Sequence, residues 1–206
     1  MTDLKTNERR ARGRPARTPD QNEETRQLIA KTAERLFQDE GYANVSIRRL
    51  AKQVGCSPMT LYKYYDSKLA ILQTLWAVVF RKLFGEIRAR LKAITDPKEK
   101  LQTACKIYVG YWLANPEHYR LVFMADGVTQ SDVSLFVGNP EIGADFQLFA
   151  QAVAQTDAHL TGDQLRLKTD LIIGALHGIA HNKITISAYP WSDPNKMIDL
   201  LLENLL

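Results

Sequence analysis

The chain has 206 residues and a mass of 23.4 kDa, with 45% hydrophobic and 24% charged residues, a composition near the globular average that excludes collagen-like and wholly disordered chains. Residues 1–65 hold 13 Lys+Arg against 8 Asp+Glu, a net +5, whereas residues 66–206 hold 14 against 15, a net −1, so the basic excess is N-terminal and points to an anionic partner at that end. No stretch free of charged residues exceeds twelve positions (69–80 and 171–182), short of the roughly 20 that a membrane-spanning helix needs.

The first predicted helix covers residues 22–40, where Leu28, Ile29, Ala33, Leu36 and Phe37 recur at helical spacing, Asn22 or Thr18 caps the start and Gly41 follows the end. Ser46 caps a second helix of about two turns, with Ile47, Leu50, Ala51 and Val54 on one face and Gly55 as its stop. Ser57 and Pro58 start a third, expected to run to about Tyr65, with Leu61 and Tyr65 facing inward. Two short helices joined by a glycine-containing turn describe a helix-turn-helix, whose second helix enters the DNA major groove; an ordinary small helical bundle shows the same pattern.

The outward residues favour DNA. The third helix exposes Met59, Thr60, Tyr62, Lys63 and Tyr64, which offer hydroxyls, a cation and apolar atoms, and no acidic residue. Arg48 and Arg49 on the second helix and Lys68 after the third flank that surface with cations suited to phosphates. Tyr62 has a second reading, its ring packed and its hydroxyl reaching a phosphate. In the N-terminal extension, Arg12-Gly13-Arg14-Pro15 is the kind of segment that lies flat in a narrow A·T-rich minor groove, or else a basic tail that raises affinity for any sequence.

From Thr25-Arg26-Gln27-Leu28-Ile29 through Gly41-Tyr42, Val45-Ser46-Ile47-Arg48-Arg49-Leu50-Ala51, Val54-Gly55-Cys56-Ser57, Leu61-Tyr62-Lys63-Tyr64-Tyr65 and Ser67-Lys68, the chain resembles the N-terminal domain of TetR/AcrR-type transcriptional regulators. The resemblance implies an operator-binding homodimer whose divergent helical C-terminal domain binds an inducer and the second subunit. By position it implies Ser46 and Arg48 as backbone contacts, Pro58, Met59, Thr60, Lys63 and Tyr64 as the groove-facing set, and Tyr62 and Lys68 as phosphate contacts.

Beyond Ser67 the apolar series Leu69, Leu72, Trp76, Val79, Leu83, Ile87, Leu91 and Ile94 predicts one helix of nearly thirty residues joining the two halves. Asp96-Pro97 starts a helix with Leu101, Cys105, Tyr108 and Trp112 on one face, and Asn115-Pro116 caps the next. Residues 127–140 read as a loop. Further helices fit residues 140–158, 163–182 and 194–206, and no alternating β pattern appears. The expected fold is therefore all-α: a basic arm (1–20), a helix-turn-helix DNA-binding domain (21–67) and a helical ligand-binding and dimerisation domain (68–206). Asn115-Pro116-Glu117-His118-Tyr119-Arg120-Leu121-Val122-Phe123 and Leu176-His177-Gly178 resemble the WHG type of C-terminal domain, with Ile173 near the place of its tryptophan.

Tyr108, Tyr111, Trp112, Phe123, Met124, Phe146, Phe149 and His177 supply aromatic and apolar surface for an inducer cavity between the fifth and eighth helices, or plain core. Leu165, Ile172, Leu176 and Ile179, then Ile198, Leu201, Leu202 and Leu205, exceed what one small subunit can cover and are expected to form a four-helix interface with a second copy. Gly174 and Gly178 would permit its close approach.

Catalytic grammar is missing. His177 and His181 stand four apart, but Gly178 occupies the place of the HExxH glutamate, and there is no GxSxG, GxGxxG or GxxxxGK[ST]. No catalytic residue, metal or cofactor is expected. Residues 1–17 lack the apolar stretch of a secretory signal, and Cys56 and Cys105 are too few for a disulfide scaffold, so a cytoplasmic home is expected. A DNA-binding architectural protein without an inducer is the alternative, and a solid C-terminal core would favour it.

Overall fold

Helix starts in this chain are written into single side chains. The computed structural model describes residues 18–138 and 140–206. Within them, Thr18 accepts from the Gln21 amide while the Gln21 side chain accepts from Thr18 N, a capping box that opens α1 (Pro19–Glu40) four residues before Asn22. Ser46 caps α2 (Ile47–Val54), Ser57 with Pro58 opens α3 (Pro58–Tyr62), and Ser67 opens α4 (Lys68–Leu91). Each such cap is worth about 1 kcal/mol. Gly55 takes the left-handed conformation (φ 79°, ψ 31°) and ends α2, where a Cβ would be strained.

Asp96 caps α5 (Pro97–Ala114), followed by α6 (Pro116–Phe123), α7 (Gln130–Val137), α8 (Pro140–Ala154), α9 (Gly162–Thr185, capped by Thr161) and α10 (Pro194–Leu205, capped by Asp193). The architecture is all-α, with an N-terminal helix-turn-helix region and a larger helical C-terminal domain. Its axis is α4, which buries Ile71, Leu72, Leu75, Trp76, Val79, Phe80, Leu83, Phe84 and Ile87. At 1.5 Å per residue such a helix runs about 36 Å, from the reader into the body. It packs on α5 and α8, α5 packs on α9 and α10, and α1 touches both α4 and α6.

Three expectations change. Residues 127–140 are not a loop: Thr129 and Asp132 form a capping box that starts α7, and Phe136 is buried with its ring against Trp76. The third helix stops at Tyr62, because the amides of Lys63 and Tyr64 turn back three residues to Thr60 O and Leu61 O. Asn115 does not cap α6 with its side chain, which instead donates to Tyr111 O and closes α5.

Candidate nucleic-acid interface

The helix-turn-helix rests on a small core in which Ile29, Ala33, Val45, Leu50, Ala51 and Leu61 are almost entirely buried. Ala51 and Gly55 let α2 and α3 meet with a short turn, and Leu61 anchors α3 from beneath. With the apolar side of both helices so used, their polar sides must face outward.

That outward surface holds Met59 (72% exposed), Tyr62 (47%) and Lys63, with Ser46 and Arg48 beside them on α2 and Pro58 half-buried at the start of α3. Neither α2 nor α3 contains an acidic residue. Thr60 is more constrained: its hydroxyl lies 2.9 Å from Ser57 Oγ, inside the cap. Arg49 is held by Glu40 at 2.7 Å and Gln53 at 3.0 Å. Arg12 and Arg14 lie outside the described residues.

Two expected contact residues are turned to structural use. Tyr64 is half-buried and its hydroxyl donates to Asn22 Oδ1 on α1 at 3.2 Å, which takes it from the groove-facing set. Lys68 Nζ donates to Tyr42 O at 2.8 Å and lies 4.1 Å from the centre of the Tyr42 ring. Burial lowers its pKa, and its two contacts tie the start of α4 to the turn after α1. Lys68→Met is expected to lower the unfolding free energy measured in urea by about 1–3 kcal/mol while leaving the salt dependence of DNA binding unchanged. A salt slope reduced by one with no loss of stability would restore the phosphate role.

In the C-terminal domain the expected pocket residues come together but fill one another's space. Tyr108, Trp112 and Phe149 are fully buried and Tyr111 nearly so. Tyr108 meets Trp112, Phe149 and His177 edge-on at 5.5–6.0 Å, and Phe146 meets Phe80 and Phe84 at 5.3 and 5.6 Å. Phe123 and Met124 reach the surface, and Met124 borders a small cavity of about 130 Å3 between the turn after α1 and α6. Tyr108 Oη lies 2.8 Å from His177 Nε2 and Tyr119 Oη 3.3 Å from His181 Nδ1. Burial and the neighbouring His181 lower the pKa of His177, and burial opposes ionisation of Tyr108. The set reads as core. A larger cleft, of about 680 Å3, lies elsewhere, between α4 and α7–α8, where no sequence pattern pointed.

Most residues expected at a subunit interface are at least partly covered within the chain itself. Ile172, Leu176, Ile179, Ile198 and Leu202 are buried within their own subunit, and Leu165, Leu201 and Leu205 are half-buried. The apolar residues left exposed are Leu167 (62%) and Leu171 (49%) on α9 and Leu200 (62%) on α10. Gly174 and Gly178 share the α9 face with Leu167 and Leu171, and a Cβ added at either would meet nothing within 4 Å.

The family model of bacterial regulatory proteins of the TetR family matches residues 29–75, from the core of α1 into α4. An HTH-type transcriptional regulator of Staphylococcus aureus (strain MRSA252) is 41% identical over 176 residues, covering 81% of this chain and 88% of that protein. The HTH-type transcriptional activator FasR of Mycolicibacterium smegmatis is 30% identical over 142 residues. That match covers 65% of this chain and 64% of FasR, and those to two Mycobacterium tuberculosis regulators cover 36% of each. The solved structure of Bacillus subtilis FadR in complex with stearoyl-CoA superposes with a TM-score of 0.68 at 18% identity, over 87% of this chain and 96% of that one. A helix-turn-helix on a larger helical body is the build of a DNA-binding transcription regulator. The chain belongs to the TetR family of bacterial regulatory proteins.

Proposed function

We propose that the protein is a homodimeric repressor that binds a near-palindromic operator and is released by a small-molecule inducer. The observation that carries the DNA part is the acid-free outward surface of α2 and α3, with Arg48 and Lys52 of α2 and Lys63 at the end of α3 as exposed cations and Met59 and Tyr62 exposed beside them. Met59 offers apolar contact to a thymine methyl, Lys63 reaches base edges or the adjoining backbone, and Ser46 and Arg48 bind phosphates. Arg12 and Arg14 keep their proposed place in an adjacent minor groove on the strength of the sequence alone.

Dimerisation supports the palindrome, since two identical readers related by a two-fold axis match an inverted repeat. Glycine inside a helix costs about 1 kcal/mol relative to alanine, and within one subunit Gly174 and Gly178 make no close approach that would offset it. A second copy against α9 supplies that approach. The inducer part is supported by the cleft along α4 and by the ligand in the B. subtilis FadR structure. The packed aromatic cluster supports the second reading, a DNA-binding protein without an inducer.

Selection from random duplexes should yield an inverted repeat, and Lys63→Ala should then lose about 1–3 kcal/mol of affinity for it, roughly ten- to a hundredfold, with an unchanged melting temperature. Recovery of no enriched sequence, or full operator affinity in Lys63→Ala, would count against the reader as assigned. A metabolite screen for release of the selected duplex decides between the two readings.

A further inference from the structure

The cleft between α4 and α7–α8 has a divided chemistry. Its α4 wall is one helical face made of Ala70, Thr74, Ala77, Arg81 and Arg88, at spacings of three to seven residues. The inner face of the same helix carries Leu, Ile, Trp and Phe, whereas Ala70, Thr74 and Ala77 on the cleft side are small and leave room beside α7 and α8. Nearest the helix-turn-helix the lining combines the apolar Leu69, Ala70 and Ala77, with Phe136 and Ile142 opposite, and the polar Gln73 and Thr74. The cations follow in the C-terminal half of α4, and Ala70 and Arg88 are about 27 Å apart along the helix at 1.5 Å per residue.

The two arginines differ. Arg88 is bound to the carboxylate of Asp145, which α8 holds almost out of solvent. Arg81, two turns nearer the reader and beside the apolar part, has no hydrogen-bond or ion-pair partner among the described residues. The cleft thus holds one cation more than its own carboxylate balances, next to a stretch in which Ala77, Ala70, Leu69, Phe136 and Ile142 supply apolar surface. A guanidinium presents parallel N–H donors that fit a carboxylate, and burying an apolar chain beside it adds affinity in proportion to its area. A neutral lipid leaves Arg81 unused and a cation is repelled.

We propose that this cleft binds an amphipathic carboxylate, its acid group on Arg81 and its apolar chain lying over Ala77 and Ala70 against Phe136. This rests on the reading of the protein as a ligand-responsive regulator and names the class of ligand. It also gives the ligand a handle on the reader. The chain end lies against the first turns of α4, the helix whose first residue, Lys68, is stapled to Tyr42 behind the helix-turn-helix. A ligand that binds better when α4 and α7 stand further apart therefore shifts the reader by its differential affinity and no more.

The test is calorimetric titration of the full chain with dodecanoate, with dodecanol and with dodecyltrimethylammonium, each below its micelle concentration. Dodecanoate is expected to bind at least tenfold more tightly than either of the others. Arg81→Gln should weaken dodecanoate about tenfold and leave dodecanol unchanged, and Ala77→Trp should abolish binding by filling that stretch. Both variants should keep the operator affinity of the wild type. Arg81 is exposed, so Arg81→Gln decides the matter should Ala77→Trp fail to fold. Absence of dodecanoate binding, equal binding of dodecanol, or unchanged dodecanoate binding in Arg81→Gln would overturn the assignment. If the wild type binds its selected operator while dodecanoate fails these criteria, the cleft assignment falls and the DNA reading stands. If dodecanoate meets them but the operator stays bound, the ligand site stands and release by this ligand falls.

Discussion

Replacing Trp76 with alanine is expected to cost about 3–5 kcal/mol of folding stability, the range of large aromatic deletions from a core. Trp76 is 2% exposed, in the first half of α4, and its ring sits edge-on to Phe136 of α7 at 5.2 Å. Its Nε1 donates to Leu121 O at 2.9 Å, a carbonyl in the last turn of α6 that the helix itself leaves without a donor. Removing the side chain therefore opens a cavity and strands a buried acceptor together. A total stability of about 5–15 kcal/mol, usual for a folded domain, makes such a loss a large fraction of the whole. Trp76→Phe keeps most of the packing and removes only the hydrogen bond, for an expected loss of about 1–3 kcal/mol. Urea unfolding at one fixed protein concentration measures both. A cost below about 1 kcal/mol for Trp76→Ala would mean that α4, α6 and α7 are not joined at this point. The deletion should also loosen the reader, because α6 meets α1 through the His118–Glu34 contact at 3.7 Å.

Leu171→Glu is expected to convert the protein to a monomer and to lower operator affinity by about a hundredfold or more, the scale set by losing simultaneous engagement of two half-sites. Leu171 is 49% exposed on α9, one turn from Gly174, and shares its face with Leu167. A buried, unpaired carboxylate in a dimer seam carries a desolvation cost of several kcal/mol, yet in the isolated subunit the same glutamate stands in water. The variant should therefore fold with near-normal helicity while sedimenting as a single chain. Ile172→Glu, one residue on, should instead unfold the subunit, because Ile172 is fully buried within it. A Leu171→Glu protein that remains dimeric with full operator affinity would place the seam elsewhere.

Much of this molecule is local, and what is local can be read from the chain. Ser46, Ser57, Ser67, Asp96 and Asp193 act on amides three residues away, and Gly55 acts on its own backbone, so the helix-turn-helix and most helix starts follow from sequence alone. The resemblance to the TetR family rests on the same short segment. Even α7 carried such a signal, the Thr129-x-x-Asp132 box, outweighed in the reading by the glycine and asparagine around it.

Partnerships across the chain were not legible. Tyr64 and Lys68 look like DNA contacts by position, but their partners Asn22 and Tyr42 stand 42 and 26 residues away and only folding brings them close. The aromatic set on α5, α6, α8 and α9 has the composition of a pocket, and whether such rings enclose space or fill it depends on how helices cross. An apolar stripe on α9 likewise tells that the helix is covered, not by what: packing on α5, α8 and α10 goes with burial of Ile172 and Ile179, while Leu167 and Leu171 stay exposed. The cleft along α4 is marked only by small residues, Ala70 and Ala77, which in sequence are merely good helix formers. Capping and helix periodicity are interactions within one or two turns and are therefore properties of the sequence. The assignment of each apolar face to a neighbour is a competition among surfaces distant along the chain, and only the tertiary structure decides it.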